Sequence, residues 1–210
     1  MVELFLQILV TIFIVMDPLG AVPIFISVAG GLEAERKRRT IRSALVIAFV
    51  VLAVFILGGR YILRFMGIKP GSFYVAGGVL FFLIAIDMLF GQPKRAKTSS
   101  EEEPEEDGPS SIAVFPLAIP LIAGPGMITT IMLYSAGEYE PVSTTLMLFG
   151  SVLIGLAAMF AALSMSGLIL RALGKTGVSV IERMMGLLLS GLAIQFVYDG
   201  LTKLGVLGHP

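Results

Sequence analysis

Two short clusters combine a helix breaker with groups able to hold a solute: Asp17-Pro18-Leu19-Gly20 and, in the second half of the chain, Gly124-Pro125-Gly126 followed by Thr129-Thr130. Each interrupts an apolar stretch long enough to cross a bilayer. Proline suits the first position of a helix, where its missing N–H is no loss, so each cluster reads as the restart of a broken helix. A helix start presents free N–H groups and roughly half a positive charge. Two such starts brought together favour a carboxylate or another anion. Gly20 and Gly126 let the backbone approach a ligand, and Thr129 and Thr130 add hydroxyls one turn further on. The candidate substrate-binding residues are therefore Asp17, Pro18, Gly20, Gly124, Pro125, Gly126, Thr129 and Thr130. A kink used only for packing is the plainer reading of either break alone, but two at matching positions favour one shared pocket.

Asp17 is the costliest of these residues, because it lies roughly 20 Å beyond Leu4 at ~1.5 Å per residue. It reads as a helix N-cap, as a carboxylate for a ligand ammonium, or as a proton or cation site coupled to transport. Asp87, near the end of the third apolar stretch, and Gln195, near its counterpart in the sixth, are further coupling or path candidates. Snorkelling and interhelical packing are the plainer readings of those two. Tyr198-Asp199, Arg60 and Arg64 are expected at a membrane interface, and the run Arg36 to Arg39 as a topology anchor.

The elements that must position these residues follow from composition. With 56% hydrophobic and 14% charged residues and a mean hydropathy of +0.94, the chain has too little polar surface for a soluble globule. The expected class is an all-α membrane protein. There is no cysteine, and His209 is the one histidine, so no disulfide, thiolate or zinc chemistry and no metal or cofactor are expected. A net charge of zero gives no general attraction to nucleic acid. Six apolar stretches at about 4–29, 43–65, 72–90, 112–136, 144–170 and 184–205 compare with the ~20 residues a spanning helix needs. The first lacks a basic residue ahead of its apolar run and carries Glu3, so it reads as a membrane helix rather than a signal peptide.

The domain expectation is a first three-helix repeat over 1–90, an acidic cytoplasmic linker over 91–111 containing Glu101 to Asp107, and a second, inverted repeat over 112–210. On an alternating six-helix path, 11 of the 15 Lys and Arg residues fall in loops 1–2, 3–4 and 5–6, and Arg60, Arg64, Lys69 and Lys203 on the other side. The positive-inside rule then puts both termini outside and those three loops inside the cytoplasmic membrane. Pro18 and Pro125 are 107 apart, as are Arg64 and Arg171; Gly78 and Gly186 are 108 apart, as are Ala85-Ile86 and Ala193-Ile194. With three crossings per half, the second half enters from the opposite side, giving a 3+3 inverted-topology repeat with helices 1 and 4 discontinuous.

The two breaks with Pro23-Ile24-Phe25 and Thr129-Thr130, together with Arg183-Met184-Met185-Gly186 leading to Gln195-Phe196, resemble the MarC/SnatA family over nearly the whole chain apart from the linker. Many members carry Asn where this chain has Asp17. The resemblance implies a six-helix inner-membrane protein that transports small neutral amino acids such as glycine and alanine, coupled to the proton gradient. Proton against sodium as the coupling ion, and uptake against export, stay open. The alternatives are an exporter of another small metabolite and a small-solute or ion channel, though the apolar helices show no ring of charges. A membrane aspartyl protease would need Asp87 and Asp199 together; their expected places at opposite membrane faces argue against an enzyme.

Overall fold

The computed structural model describes residues 2–90, 113–137 and 140–207. The acidic linker and His209 lie outside them. Among the described residues all regular structure is helical: α1 (Val2–Met16), α2 (Ala21–Ala29), α3 (Ala34–Phe65), α4 (Pro70–Phe90), the π-helical segment α5 (Ala113–Ile122), α6 (Pro125–Ala136), α7 (Pro141–Ser164) and α8 (Ser166–Lys203). α3, α4, α7 and α8 are each long and apolar enough to cross a membrane, and α1 with α2, bent by 40°, is long and apolar enough only when the two are taken together. α5 and α6 are parted by Ala123 and Gly124 alone. The π-helical geometry of α5 fits its sequence, since Pro116 and Pro120 have no amide hydrogen to give to the usual four-residue ladder.

α3 shows how these helices know their faces. Its buried side holds Ala44, Ala48, Leu52, Ile56 and Gly59 at helical spacing, and its outer side holds the exposed Val46, Val50, Val54 and Leu57. Both faces are apolar. The buried face carries Ala44, Ala48 and Gly59, small enough for close backbone approach where lipid competes with protein for every apolar side chain, beside the larger Leu52 and Ile56.

The closest approach is between α4 and α8, which run antiparallel. A Cβ added to Gly78 would lie 2.7 Å from the Ala193 carbonyl oxygen, and one on Gly186 would lie 3.1 Å from the Ala85 carbonyl oxygen. Further along, Gly200 is set against the Gly71 carbonyl at 2.7 Å by the same construction. Around this pair, α2 lies against α8 and α6 against α4, while α1 packs on α7 and α3 on α5, α6 and α7.

Two boundaries differ from expectation. α3 begins at Ala34 rather than near 43, so Arg36 to Arg42 sit on helix rather than in a loop. The final helix is continuous from Lys175 rather than from 184, since the one non-helical residue inside α8 is Gly174, at φ 65° and ψ 176°. Charges cut the apolar runs in the sequence without ending the helices. Two helix ends are closed by side chains. Half-buried Arg60 donates from Nε to the Ser135 carbonyl at 3.1 Å near the end of α6, a favourable place for a cation. Glu140 caps α7, and the Ser143 hydroxyl and amide hold its carboxyl below the usual carboxylate value.

Gly78→Leu should force α4 and α8 apart and lower stability by about 1–3 kcal/mol. Gly191→Leu, where nothing lies within 4 Å, should leave the melting temperature unchanged. Thermal unfolding in detergent, followed by circular dichroism, compares the two.

Candidate functional site

Asp17 ends one helix and begins the next. Its N–H donates to the Phe13 carbonyl at 3.1 Å as the last link of α1, and its own carbonyl accepts from Ala21 N–H at 3.1 Å as the first link of the following turn. Its Oδ1 accepts from Gly20 N–H at 3.0 Å, the bond an N-cap side chain makes to the third residue of a helix. Pro18 then occupies the first-turn position, although the regular helix is assigned only from Ala21. The junction needs φ of 47°, and Asp17 is the one non-glycine residue with positive φ among the described residues. Asp tolerates that conformation better than most L-residues because its short side chain bonds locally. The residue is only 4% exposed.

The second break is built without a carboxylate. Gly124 is extended, at φ −81° and ψ 176°, with Pro125 as the first residue of α6 and no side-chain cap. Ala123 N–H reaches back to the Ala118 carbonyl at 2.8 Å, and Ile128 N–H to the Gly124 carbonyl at 3.1 Å. Buried Thr130 donates its hydroxyl to the Gly126 carbonyl at 2.8 Å, so that hydroxyl is left as an acceptor. Thr129 is half-buried and turns its methyl group to Gly77, 3.0 Å from a Cβ built there.

The fold brings the two breaks together. A Cβ on Gly126 would meet Val15 Cγ1 at 3.1 Å and Ile84 Cδ1 at 2.9 Å, and Val15 lies just ahead of Asp17. One turn back along α1 and two turns on along α6 the contact is polar, with Thr11 Oγ1 and Tyr134 Oη 3.0 Å apart. Tyr134, Tyr74 and Phe81 all set their rings edge-on to Phe196, with centroids 5.5–6.1 Å apart. α1, α4, α6 and α8 thus converge within a few side chains of the breaks. In this conformation the ends of Ile84 and Val15 fill the space in front of Gly126.

A residue that the sequence reading passed over completes the site. A Cβ added to Gly20 would overlap both Asp17 Oδ2 and Glu182 Oε1, so carboxylates from the α1–α2 junction and from α8 share one small space. Glu182 is half-buried. Its signal was available, because it is an acidic residue beside a long apolar run, but placing the last helix from 184 left it outside. Two carboxylates this close repel when both are charged, and one proton or cation between them removes the repulsion.

The other path candidates are less buried than Asp17. Asp87 is half-buried near the end of α4. Gln195 is exposed and donates from Nε2 to Asp199 Oδ1 at 2.7 Å, one turn along its own helix.

Asp17→Ala should cost about 1 kcal/mol or more, by removing the acceptor for Gly20 N–H from a buried turn. Asp17→Asn keeps an acceptor oxygen and a residue tolerant of positive φ, and should cost less. Melting temperatures of the two purified variants test this. Equal losses would mean that the charge, not the acceptor, holds the turn.

Comparison with known proteins agrees with this architecture. The profile described as MarC family integral membrane protein matches residues 2–204. A UPF0056 membrane protein of Pyrococcus horikoshii is 38% identical over 200 residues, covering 95% of both chains. The UPF0056 inner membrane protein YhgN of Escherichia coli K12 is 38% identical over 192 residues, covering 91% of this chain and 93% of its own. A UPF0056 membrane protein of Aquifex aeolicus is 35% identical over 201 residues, covering 96% and 94%. No solved structure matches. A profile match over nearly the whole chain, relatives of the same length and a bundle of membrane-length helices agree: this chain belongs to the MarC family of integral membrane proteins.

Proposed function

We propose that this protein is a secondary active transporter of small neutral amino acids such as glycine and alanine, coupled to the proton gradient, with its substrate held between the two helix breaks. The observation that carries the reading is the meeting of Val15 and Gly126 beside a buried Asp17 and a half-buried Glu182. A zwitterion needs N–H donors for its carboxylate and a carboxylate or carbonyls for its ammonium, and broken helices supply both at one depth. Glycines at the breaks leave room for only a small side chain. The choice of glycine and alanine rests on the family resemblance.

Several contacts support a 3+3 inverted repeat of six spans, counting α5 with α6 as the fourth. Gly78 meets Ala193 while Ala85 meets Gly186, and the 108-residue offset maps each of these contacts onto the other. Exchanging the halves likewise maps the α1–α7 contact onto α3–α5, and α2–α8 onto α6–α4. Such two-fold self-correspondence is what a pseudo-symmetric pair of halves produces. Alternating access is then the rocking of one half against the other around the breaks, with Ile84 and Val15 moving aside to admit substrate. The excess of basic residues at the start of α3, between α4 and α5 and in the first half of α8 supports a cytoplasmic-membrane protein with both termini outside.

Asp17 and Glu182 are the coupling pair in this mechanism. A proton bound between them neutralises the pair for the buried state, and its release on the other side returns the repulsion that opens the site.

The test is uptake of labelled glycine and alanine into liposomes holding the purified protein, with and without an imposed pH gradient. Saturable, gradient-stimulated uptake is expected. Gly126→Leu should abolish it by filling the pocket, and Asp17→Asn should remove the pH stimulation while leaving affinity little changed. No uptake under any gradient would sink the substrate assignment, and retained stimulation in Asp17→Asn would make Asp17 a structural cap alone.

A further inference from the structure

At the end of the bundle away from Lys69 and Lys203, α2, the start of α3 and the α7–α8 joint enclose an open cavity of about 460 Å³. Its wall joins Lys37 and Arg171, which are 134 positions apart in the chain, with Ser166 and the apolar Phe25, Ile26 and Leu170. Neither helix break contributes to its lining. Two cations and a hydroxyl converge here with no carboxylate in the wall, and among the described residues neither Lys37 nor Arg171 has an ion-pair partner. Bringing two like charges to one cavity is unfavourable unless an anion lies between them.

The chemistry selects among anions. A zwitterionic amino acid would carry its ammonium into a site with two cations and nothing to balance it, so this is not a second place for the transported solute. Phosphate fits, accepting hydrogen bonds from guanidinium, ammonium and hydroxyl together. The source follows from the wall and its surroundings. One side of the cavity is Phe25, Ile26 and Leu170, and the neighbouring Val28, Leu168 and Leu173 are exposed, at 37%, 61% and 42%. A free phosphate has no use for that apolar surface, whereas a lipid covers it with its acyl chains.

We infer that this cavity binds the phosphate headgroup of an anionic phospholipid through Lys37, Arg171 and Ser166. Basic pockets between membrane helices at the bilayer surface recognise such headgroups. The lipid ties α2, which follows the first break, to the α7–α8 joint of the other half. It therefore holds the two halves in the arrangement seen here, and its loss frees α2 to move. This inference is independent of which solute the breaks bind.

Delipidated protein in a neutral detergent is titrated with phosphatidylglycerol, phosphatidylcholine or inorganic phosphate, and its melting temperature is read by circular dichroism. Phosphatidylglycerol should raise it by roughly 5 °C near saturation, and the other two should not. Lys37→Gln with Arg171→Gln should lose the shift, and Arg38→Gln with Arg39→Gln, at the same end but outside the wall, should keep it. Ser166→Asp, which adds a carboxylate while leaving both cations in place, should also lose it and serves if the double variant does not fold. Three results overturn the proposal: an equal shift with phosphatidylcholine, the same shift with inorganic phosphate, or a full shift in the Ser166→Asp or double variant.

Discussion

In hydrocarbon an unpaired backbone N–H or C=O costs on the order of several kcal/mol, and the rest of this structure depends on how that cost is met where α1 stops. Asp17 meets it with three hydrogen bonds. Its amide finishes the ladder of α1, its carbonyl opens the ladder of α2, and its carboxylate takes the Gly20 amide that the turn leaves over. The chain bends with both backbone groups of Asp17 and the Gly20 amide paired. The same three bonds hold a carboxylate deep in an apolar bundle, so the device that makes the bend tolerable also buries an acidic group beside Glu182. The second break solves the same problem differently, with π-type spacing before Gly124 and proline after it.

The packing of α4 on α8 beside the breaks is arranged by close approach. α4 and α8 touch through Gly71, Gly78, Gly186 and Gly200, where a single Cβ would collide with backbone of the other helix. Such contacts leave van der Waals packing as the main attraction, since lipid offers apolar surface as good as any side chain. They also fix the helices' register within a fraction of a turn. That register carries Glu182 to Gly20 and Phe196 to Tyr134, so the small residues far from the breaks set the geometry at the breaks.

Much of this was legible in the residues alone. The membrane class followed from composition, and the two breaks from Pro-Gly clusters inside apolar runs. Helix limits were less legible, because Arg36 to Arg42 and Lys175 to Arg183 look like loop residues in a scan for apolar runs. Helices extend beyond the hydrocarbon wherever their charged turns can reach water, and hydropathy is blind to that continuation. Glu182 was lost for this reason.

What the sequence by itself determined is local: where the chain can be helical, where the ladder must break, and that a carboxylate would stand at the first break. These follow from backbone hydrogen-bonding needs and from residue types within a few positions of each other. Only the tertiary structure decided what stands opposite each break. Val15 against Gly126, Glu182 against Asp17, and Lys37 beside Arg171 join residues more than a hundred positions apart. Such pairs depend on the angle and register at which whole helices pack, which sums many small contacts and is written in no single segment.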